Sequence, residues 1–108
     1  MKSSRAVVVF VTTPSGRIGQ GLARSLVEKR LAACVSIIPR VDSVYRWKGK
    51  LERSKESLLV IKTSKRCLPS LIREIRKTHP YDLPEIIALP VTGGHPDYLR
   101  WVTESLAS

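Results

Sequence analysis

The stretch Leu31–Thr63, LAACVSIIPRVDSVYRWKGKLERSKESLLVIKT, sets the tightest limit on what this chain can fold into. From Ala33 to Trp47 the odd positions are Ala33, Val35, Ile37, Pro39, Val41, Ser43, Tyr45 and Trp47, with Cys34, Ser36, Arg40, Asp42 and Arg46 among the residues between them. Alternation with a period of two is the mark of a strand with one buried face. About fifteen such residues would run roughly 50 Å, against about five or six residues in an ordinary strand. Trp47-Lys48-Gly49-Lys50 supplies a turn, because Gly49 accepts positive φ, and the returning arm ends in the apolar run Leu58-Leu59-Val60-Ile61. The stretch therefore predicts one long β-hairpin, longer than a domain of 108 residues can bury. Pro39 cannot donate to a ladder and marks a bulge or a change of partner halfway along. The outer half must find neighbours elsewhere, and its edges would invite aggregation unless another chain pairs with them. A homo-oligomer is expected, with Trp47 covered by a neighbouring chain because the hairpin tip has no core for it to enter.

The rest of the chain reads as elements packed around this hairpin. Ala6–Val11 is a continuous apolar run that suits a central strand covered on both faces or nearly so. A helix follows, with Ile18, Leu22, Ala23, Leu26 and Val27 forming one apolar stripe and Thr13 or Ser15 as N-cap. Gly16, Gly19 and Gly21 fall as G-x-x-G-x-G, not the G-x-G-x-x-G of a dinucleotide turn, so close packing on the sheet is the expected role of the two mid-helix glycines. Leu68, Leu71, Ile72 and Ile75 give a second helix that ends at Thr78-His79-Pro80. Glu85–Val91 reads as a fourth strand whose end Pro90 places at an edge or bulge, and Pro96–Leu106 as a short helix with Leu99, Val102 and Leu106 inward. The order β-α-β-β-α-β plus a C-terminal helix predicts an α+β, ferredoxin-like sandwich forming a single domain over residues 1–108.

Composition narrows function mainly by exclusion. The segment MKSSR is followed by only six apolar residues before Thr12, too few for a signal-peptide core or a membrane span, so the chain reads as cytoplasmic. Two cysteines fit a reducing compartment and structural roles rather than a disulfide framework. A net charge of +10 raises nucleic acid or an anionic ligand as partners. Eight basic residues against two acidic ones fall in Arg46–Arg66, which also suits a solvated hairpin tip with blunted edges. Nucleic acid is nevertheless not the expected partner, because the returning arm LERSKESLLVIKT lacks the aromatic residues on which an RRM stacks bases.

Chemistry concentrates in His79-Pro80-Tyr81-Asp82-Leu83-Pro84-Glu85, where two prolines stiffen a loop that carries an imidazole, a phenol and two carboxylates. His79 beside Asp82 and Glu85 is the candidate metal ligand, suited to Zn, Cu or Ni, with ligands completed across a subunit boundary; the competing role is a cap on the preceding helix. No signature surrounds Cys34 or Cys67 that would make a Cys–His nucleophile, and catalysis is not expected.

These residues together resemble the CutA divalent-cation-tolerance family. The resemblance runs from about Val7 to Leu106 through Glu28–Cys34, Tyr45–Lys50, Ile61–Thr63, His79–Tyr81, Pro84–Ile87 and Leu89–Val91. It implies a ferredoxin-like protomer in a stable homotrimer whose hairpins pair between subunits, similar in build to PII signalling proteins. It also implies a role in the response to divalent metal ions, no established reaction and no required cofactor, with Cu²⁺ or another divalent cation as a candidate ligand. His79 matches a family metal position and Cys34 is kept, whereas Val11 and Thr78 stand where some members carry cysteine and a second histidine, which implies weak binding. The alternative is a PII-like module that takes a small anionic ligand or a partner protein in the clefts between subunits. The candidate cleft residues are Cys34, Tyr81, Asp82 and Glu85.

Overall fold

The computed structural model describes residues 5–107. In order they form β1 (Ala6–Thr13), α1 (Gly16–Glu28), β2 (Cys34–Trp47), β3 (Lys50–Ser64), α2 (Leu68–Thr78), β4 (Ile87–Pro90) and α3 (Pro96–Glu104). The four strands make one antiparallel sheet in the order β2-β3-β1-β4, the ferredoxin-like arrangement.

Strand alternation and helical periodicity meet in one core. Val7, Val9 and Val11 of β1 and Leu59 and Ile61 of β3 point to one side, where Leu22 and Leu26 of α1 and Leu71 and Ile75 of α2 cover them. Complete burial of each Leu or Ile contributes about 1.5–3 kcal/mol, which makes this layer the main source of stability. A smaller cluster joins Val102 and Leu106 to Ala6, Ala33 and Cys67, anchoring the C-terminal helix. Ser15 caps α1, its hydroxyl accepting from the Ile18 amide at 3.3 Å, while Thr13 belongs to β1. Gly19 behaves as expected, since a Cβ there would lie 3.0 Å from Thr13 Oγ1 and 3.3 Å from Leu59. Gly21 differs: nothing stands within 4 Å of its Cβ position, so packing does not account for it.

The hairpin is present at its full length, and the turn goes further than the sequence suggested. Both central residues have positive φ, Lys48 at 51° and Gly49 at 80°, as a two-residue type I′ turn requires. The register shifts between Ile38 and Val41, so Pro39 and Arg40 together oppose Ser57, whose hydroxyl donates to the Pro39 carbonyl at 3.1 Å. This bulge reverses the phase of the alternation. Val35 and Ile37 pair with Ile61 and Leu59 on the helix-covered side, whereas Val41, Ser43, Tyr45 and Trp47 pair with Glu56, Ser54, Glu52 and Lys50 on the other. The odd positions, read in sequence as one continuous face, are two faces joined at Pro39.

The side of the sheet away from α1 and α2 leaves Val8, Phe10, Leu58 and Val60 half-buried and Ile87 and Leu89 exposed. β4 is shorter than the expected Glu85–Val91, because Glu85 and Ile86 belong to the approach loop and Val91 lies just past the strand, its amide donating to the Ala6 carbonyl at 3.1 Å. Pro90 is harmless there, since β4 is an edge strand.

Candidate functional site

α2 ends at His79, which adopts an extended backbone and turns the chain across the end of β1. Its ring is buried. Nε2 lies 2.8 Å from the Thr12 carbonyl oxygen, which can only accept, and Nδ1 lies 3.1 Å from the Tyr81 amide, which can only donate. The ring is therefore neutral with its proton on Nε2, and both nitrogens are committed. The imidazole thus ties the loop to the sheet and aims the next aromatic residue, Tyr81, whose ring centroid is 4.9 Å away.

Tyr81 reaches the hairpin. Its hydroxyl donates to Glu56 Oε2 at 2.8 Å. Burial first, and the Glu56 carboxylate second, push the phenol up to about 12. Glu85 returns to the same region, and desolvation followed by repulsion from Glu56 raises its carboxyl above the ordinary range. Between this loop and the outer half of the hairpin lies a cleft of about 880 Å³ lined by Thr12, Asp42–Trp47, Glu56, Pro80–Leu83 and Glu85. Its charged lining groups are four carboxylates, Asp42, Glu56, Asp82 and Glu85, and one guanidinium, Arg46, while the Lys55 ammonium pairs with Asp42 at 3.3 Å from beside the lining. The excess positive charge of the chain lies elsewhere.

The structure brings Tyr81, Asp82 and Glu85 together in this cleft, with His79 behind them as a buried tether. Cys34 is not with them. It pairs with Lys62 on β3, whereas Thr12 at the cleft pairs with Leu58, so about 14 Å of strand separates the two places. The thiol instead lies 3.9 Å from the Lys62 ammonium and against the Tyr98 hydroxyl, whose phenol is raised by burial and then by this sulfur. Glu56, Asp42, Arg46 and Thr12 are cleft residues that the sequence did not single out. Glu56 had appeared only as one of two acids in a basic hairpin, and no local pattern marks it as the partner of Tyr81.

Among the described residues, no group of three or more His, Cys, Asp or Glu side chains is placed to hold a metal ion. The cleft offers separate carboxylate oxygens, which suit hard, hydrated cations, and no soft ligand. A metal at His79 would have to displace one of the ring's two hydrogen bonds.

The family profile described as CutA1 divalent ion tolerance protein matches residues 7–105. The mouse "Protein CutA" is 49% identical over 102 residues, covering 92% of this chain and 58% of the mouse protein. The Arabidopsis thaliana "Protein CutA, chloroplastic" is 46% identical over 104 residues, covering 96% and 57%. The chain thus spans well under two thirds of these two relatives. Among solved structures, the divalent cation tolerance protein of Thermus thermophilus superposes with a TM-score of 0.93 at 42% identity, covering 94% of this chain and 99% of that one. These matches also correct the cytoplasmic expectation. One relative is named chloroplastic, and the Archaeoglobus fulgidus structure, at 32% identity, is described as periplasmic. Compartment is set by signals outside the folded core, so a core without a long apolar helix gives no address; no helix of the described residues is long and apolar enough to cross a membrane.

Proposed function

Because the chain belongs to the CutA1 divalent ion tolerance family, we propose that it serves the response to divalent metal ions as a non-catalytic homotrimer whose cleft holds a hydrated cation weakly. The observation that carries this is the sign of the cleft: four carboxylates, one of them paired with Lys55, face one guanidinium, and desolvation followed by repulsion from Glu56 raises the Glu85 carboxyl. A divalent cation between those groups relieves their repulsion, whereas a small anion would add to it, which disfavours the PII-like alternative at this place. Weak binding follows from separate carboxylates that do not converge into a closed shell. Assembly is supported by the long arm, whose tip exposes Trp47 and Leu51 in the protomer. The hydroxyl that faces a base in the cleft, Tyr81 on Glu56, is a phenol pushed up to about 12 and so stays protonated near neutral pH, and both nitrogens of the buried imidazole are committed.

Calorimetric titration with Cu²⁺, Zn²⁺, Mn²⁺ and a nucleotide panel tests this reading. We expect dissociation constants of about micromolar or weaker, that is about −8 kcal/mol or less favourable. Affinity should be lost in Glu56→Gln with Glu85→Gln and kept in His79→Gln, which preserves a donor to Thr12. Affinity should fall as pH drops through the raised range of Glu85, because protons compete for the same oxygens. Heat that disappears in His79→Gln alone would move the site to the imidazole. Nucleotide binding without any metal response would favour the anion-binding alternative.

A further inference from the structure

The charge of the chain is polarised. Carboxylates gather at the cleft, while the outward face of the α1–α2 layer is basic: Arg17 and Arg24 lie opposite the buried stripe of α1, and Arg73, Arg76 and Lys77 opposite that of α2. Only two acids share this layer, and both are engaged. Glu28 pairs with Arg24 at 3.3 Å, and Glu74 with Lys29 at 2.7 Å, the ammonium holding that carboxyl below its ordinary range. Arg17, Arg30, Arg73, Arg76 and Lys77 make no ion pair among the described residues. Arg73, Arg76 and Lys77 repel one another at i, i+3 and i+4 spacing. Arg30 carries its guanidinium at φ 59°, a left-handed conformation in which glycine is the unstrained residue.

We propose that this helical face binds the phosphate backbone of a nucleic-acid duplex without sequence preference. Three of the four cations on these two helices without an ion pair among the described residues, Arg17, Arg73 and Arg76, are arginines, whose planar fork matches phosphate oxygens in pairs. The ridge of α1 that faces outward, Arg17, Gly21, Arg24 and Glu28, carries no apolar side chain, and the exposed Ile18 and Val27 stand on opposite flanks of it rather than as one apolar face to lie in lipid, which favours a phosphate polymer over a membrane. This contact is independent of the sheet, where the missing aromatics disfavour base stacking, and of the acidic cleft. The layer lies on the far side of the sheet from the open face, so it stays available if that face is covered in an assembly.

The test is fluorescence anisotropy of a labelled 20-base-pair duplex titrated with the full chain at stepped NaCl. With about four phosphates neutralised, log K should fall against log salt with a slope of about −3 to −4. Arg73→Glu with Arg76→Glu should weaken binding at least tenfold. Lys48→Glu with Lys50→Glu, which changes net charge equally at the hairpin tip, should change it less than twofold. Arg17→Gln with Lys77→Gln checks the same face by a milder change, with an expected loss of about tenfold from two phosphate contacts. Equal losses in the face and tip variants, absence of saturable binding at 50 mM salt, or binding to phosphatidylserine vesicles but not to the duplex would each overturn the proposal.

Discussion

The two halves of the hairpin are one alternating sequence in two environments. Near the helices, Leu59 and Ile61 are fully buried beneath α1 and α2, and a side chain there is defined by its packing. Beyond Pro39, Val44 is 58% exposed and Leu51 73%. Alternation states that a strand has two faces, but what covers either face depends on where the helices end. The inner half is held by its own protomer. The Tyr81–Glu56 hydrogen bond ties the loop after α2 to the outer half, while the Ser57–Pro39 bond at the bulge only joins the two arms to each other.

The sharpest way to break this contrast is to truncate one apolar side chain in each half. Leu59→Ala should lower unfolding free energy by about 2–5 kcal/mol in urea titrations, since a cavity opens in a packed core. Trp47→Ala should leave the protomer fold within about 0.5 kcal/mol, as for other surface sites, and weaken assembly, read by sedimentation velocity. Equal losses of folding stability would show that both halves are packed alike. A wild-type chain that sediments as a monomer at micromolar concentration would remove the reason for the long arm.

Glycines sharpen the inner side of the comparison. Gly19→Ala places a Cβ 3.0 Å from Thr13 Oγ1 and 3.3 Å from Leu59, and should cost about 1–3 kcal/mol through overpacking. Gly21→Ala meets nothing within 4 Å and should stabilise by about 0.5–1 kcal/mol through helix propensity. Thermal melts of the two variants should therefore shift in opposite directions, and shifts of the same sign would contradict the packing at Gly19.

The smallest effects test the tether between the loop and the outer arm. Glu85 and Tyr81 both titrate higher in the folded chain than in the unfolded one, so in each case the unfolded state ionises first and stability falls as pH rises. Their contributions are complete below 4.5 and 10.0 respectively, and are lost as pH climbs through Glu85's raised value and, for Tyr81, towards about 12. The wild type minus Glu85→Gln difference should change across the first window, and that for Tyr81→Phe across the second. Tyr81→Phe should also cost about 1 kcal/mol at neutral pH, because Glu56 loses its donor. Parallel pH profiles for wild type and Tyr81→Phe above pH 10 would show that the tether does not form in solution.

The sequence by itself determined the element order, the hairpin and an interruption at Pro39, the middle of the inward stripe of α1 at Leu22, Ala23 and Leu26, whose ends Ile18 and Val27 are exposed, the inward Leu71 and Ile75 of α2, and a stiff loop after His79 with Tyr81, Asp82 and Glu85 on it. Each of these is written within one element or turn, where neighbouring residues set both backbone and face. Tertiary structure alone decided the rest. His79 meets Thr12 across 67 residues and Tyr81 meets Glu56 across 25, so the imidazole becomes a tether and the phenol a bridge to the hairpin. The same register places Cys34 away from the cleft and reverses the outer face at Pro39. These outcomes depend on how far one strand slides along another and on how helices of fixed length dock over the sheet. Such distances are set by the joint packing of all the segments, and no single segment's pattern contains them.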